Sequence, residues 1–375
     1  MSCAFDNAWT NRPLLKVTYA PSSLARALIL LPILFLLTGC YLTSQAMTFM
    51  SHQLRARPTD RAIARWPDYT DFIGLTGRIR EFGIEHLGLR ETDSYTTFIK
   101  FEKDYLAYVV SAAQPTSFDR HIWRYPVVGS LPYKGFYDGA AARREAARLE
   151  AAGWETFVRQ VGAFSSLGFF TDPLYSYMAT YPPERIASLL LHEMTHSTIW
   201  IDNDVPLNEA IATFIGDRGA LAYLEHRYGM DSPVLSDAMR RQSDRTRFVQ
   251  FMRHLAGRLE IIFDSGLPRD EILQLRDKAI REEQERFAAN YHDWFYDDAY
   301  IEFPNRRIDN AFIDLYRTYN ADIALIETVY ASIGGALADL VSTLAAIPPY
   351  DLRAVLESWP TEPSEPLIIE GPALM

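Results

Sequence analysis

The chain has 375 residues, of which 48% are hydrophobic, so it is long enough and apolar enough to bury a full hydrophobic core. Its formal net charge of −11 at pH 7 argues against a nucleic-acid partner, because such partners attract basic surfaces. The sequence contains two cysteines, Cys3 and Cys40, which excludes a fold held together by a framework of disulfides.

The N-terminus has the pattern of a secretory signal. An apolar run at residues 27–37 follows three basic residues and is too short to span a bilayer comfortably. It ends in Leu37-Thr-Gly-Cys40, which resembles the bacterial lipobox. That resemblance implies that residues 1–39 are a signal peptide and that Cys40 becomes lipidated. The alternative is an uncleaved membrane anchor with an incidental cysteine.

Both interpretations place the rest of the chain outside the cytoplasm and attached to a membrane. Tyr41, rather than an aspartate, follows the cysteine, and the sorting habit of bacterial lipoproteins then favours the outer membrane over the inner one. Because the chain is acidic, we expect acyl chains rather than surface charge to hold it at the periplasmic face.

The first elements after Cys40 are predicted from periodicity and turn residues. Residues 40–66 are predicted to be the lipidated N-terminus and a leading helix, because apolar side chains recur there at helical spacing. The next elements are a helical and then extended region 67–112, a strand pair at 95–101 and 105–110, short strands and loops at 123–138, a helix at 139–152 and a strand at 154–164.

A predicted helix at residues 185–197 carries two histidines four residues apart. His192 and His196 lie about 40° apart on one helical face, since each residue advances about 100°. Both imidazoles can therefore bind one metal ion, with Glu193 beside them. This is the His-Glu-x-x-His signature of zinc peptidases, with the glutamate as general base. The alternative is a surface helix with accidental histidines.

A third metal ligand is predicted on the following helix. The cluster at residues 202–204 has the composition of a turn and helix cap, and Pro206 suits the first turn of a helix. Glu209 lies one turn inside that helix and can face back toward the histidines, which leaves a fourth position on the metal for water. Asp217 could accept a hydrogen bond from one of the ligand histidines and so orient its ring. We favour the alternative that Asp217 is a solvent-facing carboxylate.

These residues resemble the glutamate-zincin metallopeptidases, and more closely the bacterial putative aminopeptidase family of predicted zinc lipoproteins. The likeness covers most of the chain after Cys40. It is carried by His192-Glu-Met-Thr-His196, Leu207-Asn-Glu-Ala210, residues 123–138, residues 165–174 and Asn310-Ala311. The resemblance implies a Zn²⁺ cofactor and a peptide or protein substrate. It also implies an edge strand before the metal helix that pairs with the substrate backbone; an ordinary core strand is the alternative.

In a hydrolase of this kind, His192, His196 and Glu209 hold the ion and Glu193 transfers the proton from the attacking water to the leaving amine. Glutamate zincins often supply a hydrogen-bond donor to the oxyanion from their C-terminal helices. The family pattern, Asn310-Ala311 followed by a tyrosine two turns later, favours Tyr319. The other candidates are Tyr316, Tyr300 and His292.

Aminopeptidase activity requires an acidic group that binds the free amine of the substrate. The stretch 161–170, where relatives outside this family carry a glutamate, contains no carboxylate, and Asp172 is the nearest one. Endopeptidase action therefore stays open at this point.

The C-terminal part is predicted to be helical. The predicted helices are 232–264, 269–290, 307–319, 321–332 and 335–346, with a flexible tail at 360–375. The fold class is thus mainly α with a small β-sheet (α+β), in which residues 67–359 form a zincin-like metallopeptidase domain. We predict a lipid-anchored zinc peptidase of the cell envelope, and the family resemblance implies that it is an aminopeptidase. The alternatives are a zinc-binding scaffold lipoprotein without catalysis and a zinc hydrolase of non-peptide amides.

Overall fold

The structure is a computed structural model, and it describes residues 41, 45, 47–125, 129–162, 172–202, 204–317 and 321–360. The chain divides into a unit of residues 1–49 and a unit of residues 50–375. In the first unit, the described residues 41, 45 and 47–49 are helical. The predicted signal peptide and Cys40 lie outside the described residues, and both stay predictions.

The second unit is built mainly of helices, which confirms the predicted fold class. In chain order they are α1 (50–55), α2 (Thr59–Arg65), α3 (Thr70–Leu87), α4 (Gly139–Ala151), α5 (Pro183–Thr198), α6 (Val205–Tyr228), α7 (Pro233–Phe263), α8 (Arg269–Trp294), α9 (Asn310–Arg317), α10 (Ala321–Ser332), α11 (Leu337–Ala346) and α12 (Leu352–Glu357). Short 3₁₀ turns lie at Pro67–Tyr69, Ser176–Thr180 and Phe303–Asn305.

The described strands are short and form three small sheets. They are β1 (Arg57–Pro58), β2 (Thr97–Ile99), β3 (Ala107–Ala113), β4 (Trp123–Tyr125), β5 (Gly129–Leu131), β6 (Tyr133–Phe136), β7 (Glu155–Val161) and β8 (Leu174–Tyr175). The sheet orders are β1-β2-β8, β6-β3-β7 and β4-β5. All pairs are antiparallel except β2 with β8, in which Phe98 lies opposite Leu174.

The leading helix predicted within 40–66 is interrupted in the structure. Helical residues end at 55, β1 follows at Arg57–Pro58, and α2 begins at Thr59. Pro58 is the physical reason, because proline lacks a backbone donor and favours an extended residue before it.

The predicted pairing of strands 95–101 and 105–110 is wrong. Both segments contain strands, but β2 pairs with β1 and β8, whereas β3 pairs with β6 and β7. Alternating apolar residues identify a strand without identifying its partner, and β2 finds a parallel partner more than 70 residues away in sequence.

The long C-terminal helices were predicted correctly in position. α7 and α8 match 232–264 and 269–290 closely, and α8 continues to Trp294. The short helix α12 was not predicted, and residues 361–375 lie outside the described part of the chain. Among the described residues no single helix is long and apolar enough to cross a membrane; one bent pair, Asn310–Ser332 with Leu337–Ala346, meets that test by length and composition alone.

Two hydrophobic cores organise the second unit. The first contains buried residues of α3, α5, α6, α11 and the β2–β8 sheet. The second lies between α7, α8 and α9, where Phe248 and Phe251 both pack against Phe287. The pair α5–α6 belongs to the first core, and this pair carries the predicted metal ligands.

Candidate metal centre

Helix α5 is anchored by its apolar face. Leu190 and Leu191 are fully buried, and Met194 is 2% exposed. Apolar residues at this spacing form one face of a helix, so the face bearing His192 and His196 is directed away from them. His196 is buried and His192 is partly buried. The packing of α5 therefore fixes the orientation of both imidazoles.

Helix α6 begins with two polar contacts that fix the position of Glu209. Asp204 caps the helix and accepts a hydrogen bond from the backbone N–H of Leu207 at 3.3 Å. The Asn208 side chain accepts a hydrogen bond from the backbone N–H of Ile201 at 2.9 Å and donates one to the carbonyl of Ile201 at 2.7 Å. These bonds fold the loop between α5 and α6 so that Glu209 faces back toward α5.

The structure brings the three predicted metal ligands together. The Nε2 atoms of His192 and His196 are 3.2 Å apart. Glu209 Oε2 lies 3.5 Å from His192 Nε2, and Glu209 Oε1 lies 3.5 Å from His196 Nε2. A search of the described residues for three or more His, Cys, Asp or Glu side chains that could share a metal ion finds these three. Their ligand atoms all lie within 4.8 Å of one another.

Glycine residues on α6 allow the two helices to approach closely. A Cβ atom at Gly216 would lie 2.7 Å from the carbonyl oxygen of Ser188 and 3.0 Å from the Cβ of His192. A Cβ atom at Gly219 would lie 2.8 Å from Cδ1 of Leu191. At Gly216 the nearest atoms include the α5 backbone, so no larger residue fits there without displacing α5. Sequence analysis missed this contact, although the Gly-x-x-Gly spacing was a usable signal.

The charges of the three predicted ligands and of the neighbouring carboxylates shift the pKa values of Glu209 and His192. Burial raises the pKa of Glu209, but hydrogen bonds to His192 and His196 outweigh it and lower the pKa to about 2. Burial lowers the pKa of His192, and the opposing effects of Glu209 and Glu193 raise it above its ordinary value. The carboxylates thus create a negative potential at the point where the three side chains converge, which favours a cation there.

Two polar atoms beside the ligands lack protein partners. Within the described residues, Oε2 of Glu193 and Nδ1 of His196 are buried and accept or donate no hydrogen bond. Buried polar atoms normally form a hydrogen bond. We therefore expect each of these two atoms to bond to a bound molecule or to a side chain that moves. For Glu193, an unsatisfied carboxylate oxygen next to His192 is suited to hold a proton of a bound molecule.

Asp217 lies behind the metal ligands and is not the solvent-facing carboxylate favoured from the sequence. Its Oδ1 accepts a hydrogen bond from Ser188 Oγ at 2.7 Å, and its Oδ2 pairs with Arg245 of α7. Its negative charge also raises the pKa of His192. Asp217 therefore ties α6 to α7 and, through Ser188 one helical turn before His192, to α5.

Arg353 of α12 binds Asp204, which lies in the loop between α5 and α6. Its guanidinium pairs with both carboxylate oxygens of Asp204, at 2.5 and 2.9 Å, and with Asp322 of α10 at 3.0 Å. These hydrogen bonds, with the negative charges beside them, raise the pKa of Arg353 above its ordinary value. Because Asp204 caps α6 one turn before Glu209, Arg353 supports that ligand across the fold. Sequence analysis gave no signal for this contact.

The predicted oxyanion donor, Tyr319, lies outside the described residues and stays a prediction. Two of the alternatives pack in the second core. Tyr300 stacks on Phe248 with ring centroids 4.1 Å apart, and Tyr316 contacts the same ring edge-on. Burial raises the pKa of Tyr300 to about 12. His292 is exposed on α8.

The predicted strand at 154–164 is β7, and it lies at a sheet edge. β7 pairs with β3 on one side and has no partner strand on the other among the described residues. The Tyr177 hydroxyl donates a hydrogen bond of 2.7 Å to the carbonyl of Gly162, which ties the end of β7 to the segment just before α5. Residues 163–171 lie outside the described part of the chain.

Comparison with known proteins identifies one family. The family model described as putative aminopeptidase matches residues 49–352, a range that contains both metal helices and ends at the first residue of α12. No curated protein and no solved structure matches the chain.

Proposed function

The chain belongs to the putative aminopeptidase family, and from this premise we propose that it is a zinc-dependent peptidase. One observation carries the proposal: the side chains of His192, His196 and Glu209 converge from two helices, and Glu193 directly follows His192 on the first of them. The family supports peptidase activity at a general level. The metal, the general base and the cellular location are parts of the proposal.

The ligand set fits zinc in chemistry and in spacing. Zinc binds imidazole nitrogen and carboxylate oxygen at about 2.0–2.2 Å with tetrahedral geometry, so neighbouring ligand atoms lie about 3.4 Å apart. The observed separations are 3.2 Å for the two imidazole nitrogens and 3.5 Å for each nitrogen with Glu209. A set of three protein ligands is typical of catalytic rather than structural zinc sites.

The chain's own residues account for the proton transfers. When bound, zinc lowers the pKa of water toward neutrality and polarises a carbonyl group. Glu193 accepts the proton of the attacking water on its carboxylate and returns it to the amine that leaves. The close approach of α5 and α6 at Gly216 holds the two histidines near Glu209.

We propose that substrate peptides bind along β7. Among the described residues no strand pairs with the β7 edge that faces away from β3, so an extended peptide could join the sheet there as an additional strand. The amine-binding acid that an aminopeptidase needs is proposed to be Asp172, the nearest carboxylate in the sequence to the stretch 161–170. The lipid anchor at Cys40 would place this peptidase at the periplasmic face of the outer membrane.

The test is a digest of matched peptides by the full chain in detergent micelles. The same peptide is supplied with a free N-terminus and with an acetylated one. We expect cleavage of the free peptide one residue at a time, with little cleavage of the acetylated peptide and none after a chelator is added. Cleavage of both peptides at internal bonds would make the protein an endopeptidase. No cleavage of either would favour the scaffold alternative.

A further inference from the structure

A small cavity lies between the C-terminal parts of α3 and α6, away from the metal centre. Its volume is about 140 Å³, room for about four or five water molecules at roughly 30 Å³ each. Tyr223 in its wall follows Glu209 by 14 residues, which is about 21 Å along the axis of α6. The α3–α6 cavity is therefore separate from the three predicted metal ligands.

The lining of this cavity is packed into one site. Six lining side chains recur at helical spacing on the two helices: Arg78, Phe82, His86, Tyr223, His226 and Arg227. The Phe82 ring stacks on His86 with ring centroids 5.1 Å apart, and its centroid lies 5.5 Å from that of Tyr223. The His226 ring lies 5.4 Å from Phe82 and 4.5 Å from His86, again between centroids. The two helices thus bring two imidazoles and a phenol around one aromatic ring.

The polar side chains of this lining are hydrogen-bond donors. A guanidinium only donates, an imidazole carries at least one N–H, and a phenol carries one O–H. Among the residues that the structure describes, neither Arg78 nor Arg227 forms an ion pair with a carboxylate. The cavity therefore has more donors than its own acceptors can use.

The Tyr223 hydroxyl is the most buried of these donors. Tyr223 is 2% exposed, and its Oη is buried with no hydrogen-bond partner in the described part of the chain. Burial raises the pKa of this hydroxyl, and the Arg78 guanidinium partly offsets the rise. Because a guanidinium cannot accept a hydrogen bond, the phenolic proton still needs an acceptor. A buried polar group without a partner calls for a bound group that supplies one.

Two carboxylates also border the cavity, but they do not neutralise the arginines. Glu81 and Glu85 each precede a lining residue on α3 by one position, so they lie to one side of that stripe. Both are exposed to solvent, which screens their charge. The negative end of a helix dipole acts within the last turn only. Arg78 lies nine residues before the end of α3 and Tyr223 five residues before the end of α6, so both lie inside that turn's reach.

A divalent metal fits this lining less well than an anion. Two arginines line the cavity and repel a cation. Among the described residues no third metal-ligating side chain converges with His86 and His226. The ligand that matches the donors carries acceptor oxygens and a negative charge, because hydrogen bonds to ionised acceptors are the stronger ones.

We propose that the α3–α6 cavity binds a small oxyanion of the size of phosphate or acetate. The Tyr223 hydroxyl and the Arg78 guanidinium donate to its oxygens, and His86, His226 and Arg227 border it. The anion joins α3 to α6 and so stabilises the contact between these helices. This site does not depend on the proposed peptidase activity.

The test is a calorimetric titration of the metal-free full chain in detergent micelles with sodium phosphate and, separately, with sodium acetate. Sodium chloride keeps the ionic strength constant and serves as the reference anion. We expect one saturable site, weakened about 10–100-fold by Tyr223→Phe and by Arg78→Gln, since each removes a hydrogen bond to a charged group. The matched control is Arg253→Gln, an exposed arginine of α7 outside the cavity, which should keep wild-type affinity. His192→Ala should also bind like the wild type, which separates this site from the metal centre.

The two probes distinguish the classes of oxyanion. Saturable binding of phosphate alone identifies a tetrahedral ligand, and binding of acetate alone identifies a carboxylate; both support the site. Thermal unfolding gives a second readout, because an anion that binds the folded chain raises Tm in the wild type and R253Q but not in R78Q. Arg78 is exposed, so R78Q decides the matter even if Y223F fails to fold. No saturable binding of either probe, or an equal loss in R78Q and R253Q, would overturn the proposal.

Discussion

Replacing Glu193 with glutamine should lower kcat by about 10²–10⁴-fold while the protein keeps its bound zinc, because the amide retains the shape of the side chain but cannot accept a proton. Glu193 lies beside the ligands without being one of the three side chains that converge. Peptide hydrolysis and zinc content measured on the same preparation test this expectation. The matched control is Glu225→Gln, an exposed glutamate near the end of α6, which should behave as wild type.

The comparison of E193Q with His192→Ala separates an enzyme from a scaffold. An enzyme loses turnover in both variants but loses zinc only in H192A. A scaffold lipoprotein would show a defect only when H192A removes the metal. An E193Q protein with wild-type kcat would contradict the assignment of Glu193 as general base.

Replacing Gly216 with alanine should destabilise the fold by about 1–3 kcal/mol, the usual cost of overpacking a tight interface. The new Cβ would meet the Ser188 carbonyl at 2.7 Å and the His192 backbone nitrogen at 3.2 Å, and backbone atoms of a helix cannot move aside cheaply. Because His192 is displaced with α5, zinc affinity should fall in the same variant. Urea unfolding and zinc titration measure the two effects.

The control for G216A is Gly77→Ala on α3. A Cβ atom at Gly77 would have no heavy atom within 4 Å, so alanine is expected to be neutral or to stabilise the helix by about 0.4–1 kcal/mol. Equal stability and equal zinc affinity in G216A and G77A would show that α5 and α6 do not depend on close contact at this point.

The helices were predictable because their signals are local. α7 begins at Pro233 after the cap Ser232, and α4 begins after the cap Asp138, and both caps can be read from the neighbouring residues. Strand pairing was not predictable, because alternation along β2 does not specify whether its partner is β3, a few residues away, or β8, across α4 and β7.

The same distinction applies to the metal centre. His192, His196 and Glu209 lie within 18 residues on consecutive helices, so helical periodicity and one capped turn were enough to propose that they meet. Their support comes from distant parts of the chain. Arg353 reaches Asp204 across 149 residues. Such contacts depend on the tertiary packing of whole elements, which a single sequence does not reveal.

The central claim is that His192, His196 and Glu209 bind one divalent ion together. Zinc titrated into the metal-free full chain, followed by calorimetry and elemental analysis, tests it most directly. The account predicts one tightly bound zinc per chain, lost in His192→Ala, His196→Ala and Glu209→Ala alike and kept in E193Q. A chain that binds no zinc, or that binds it equally well after Glu209→Ala, would contradict the account.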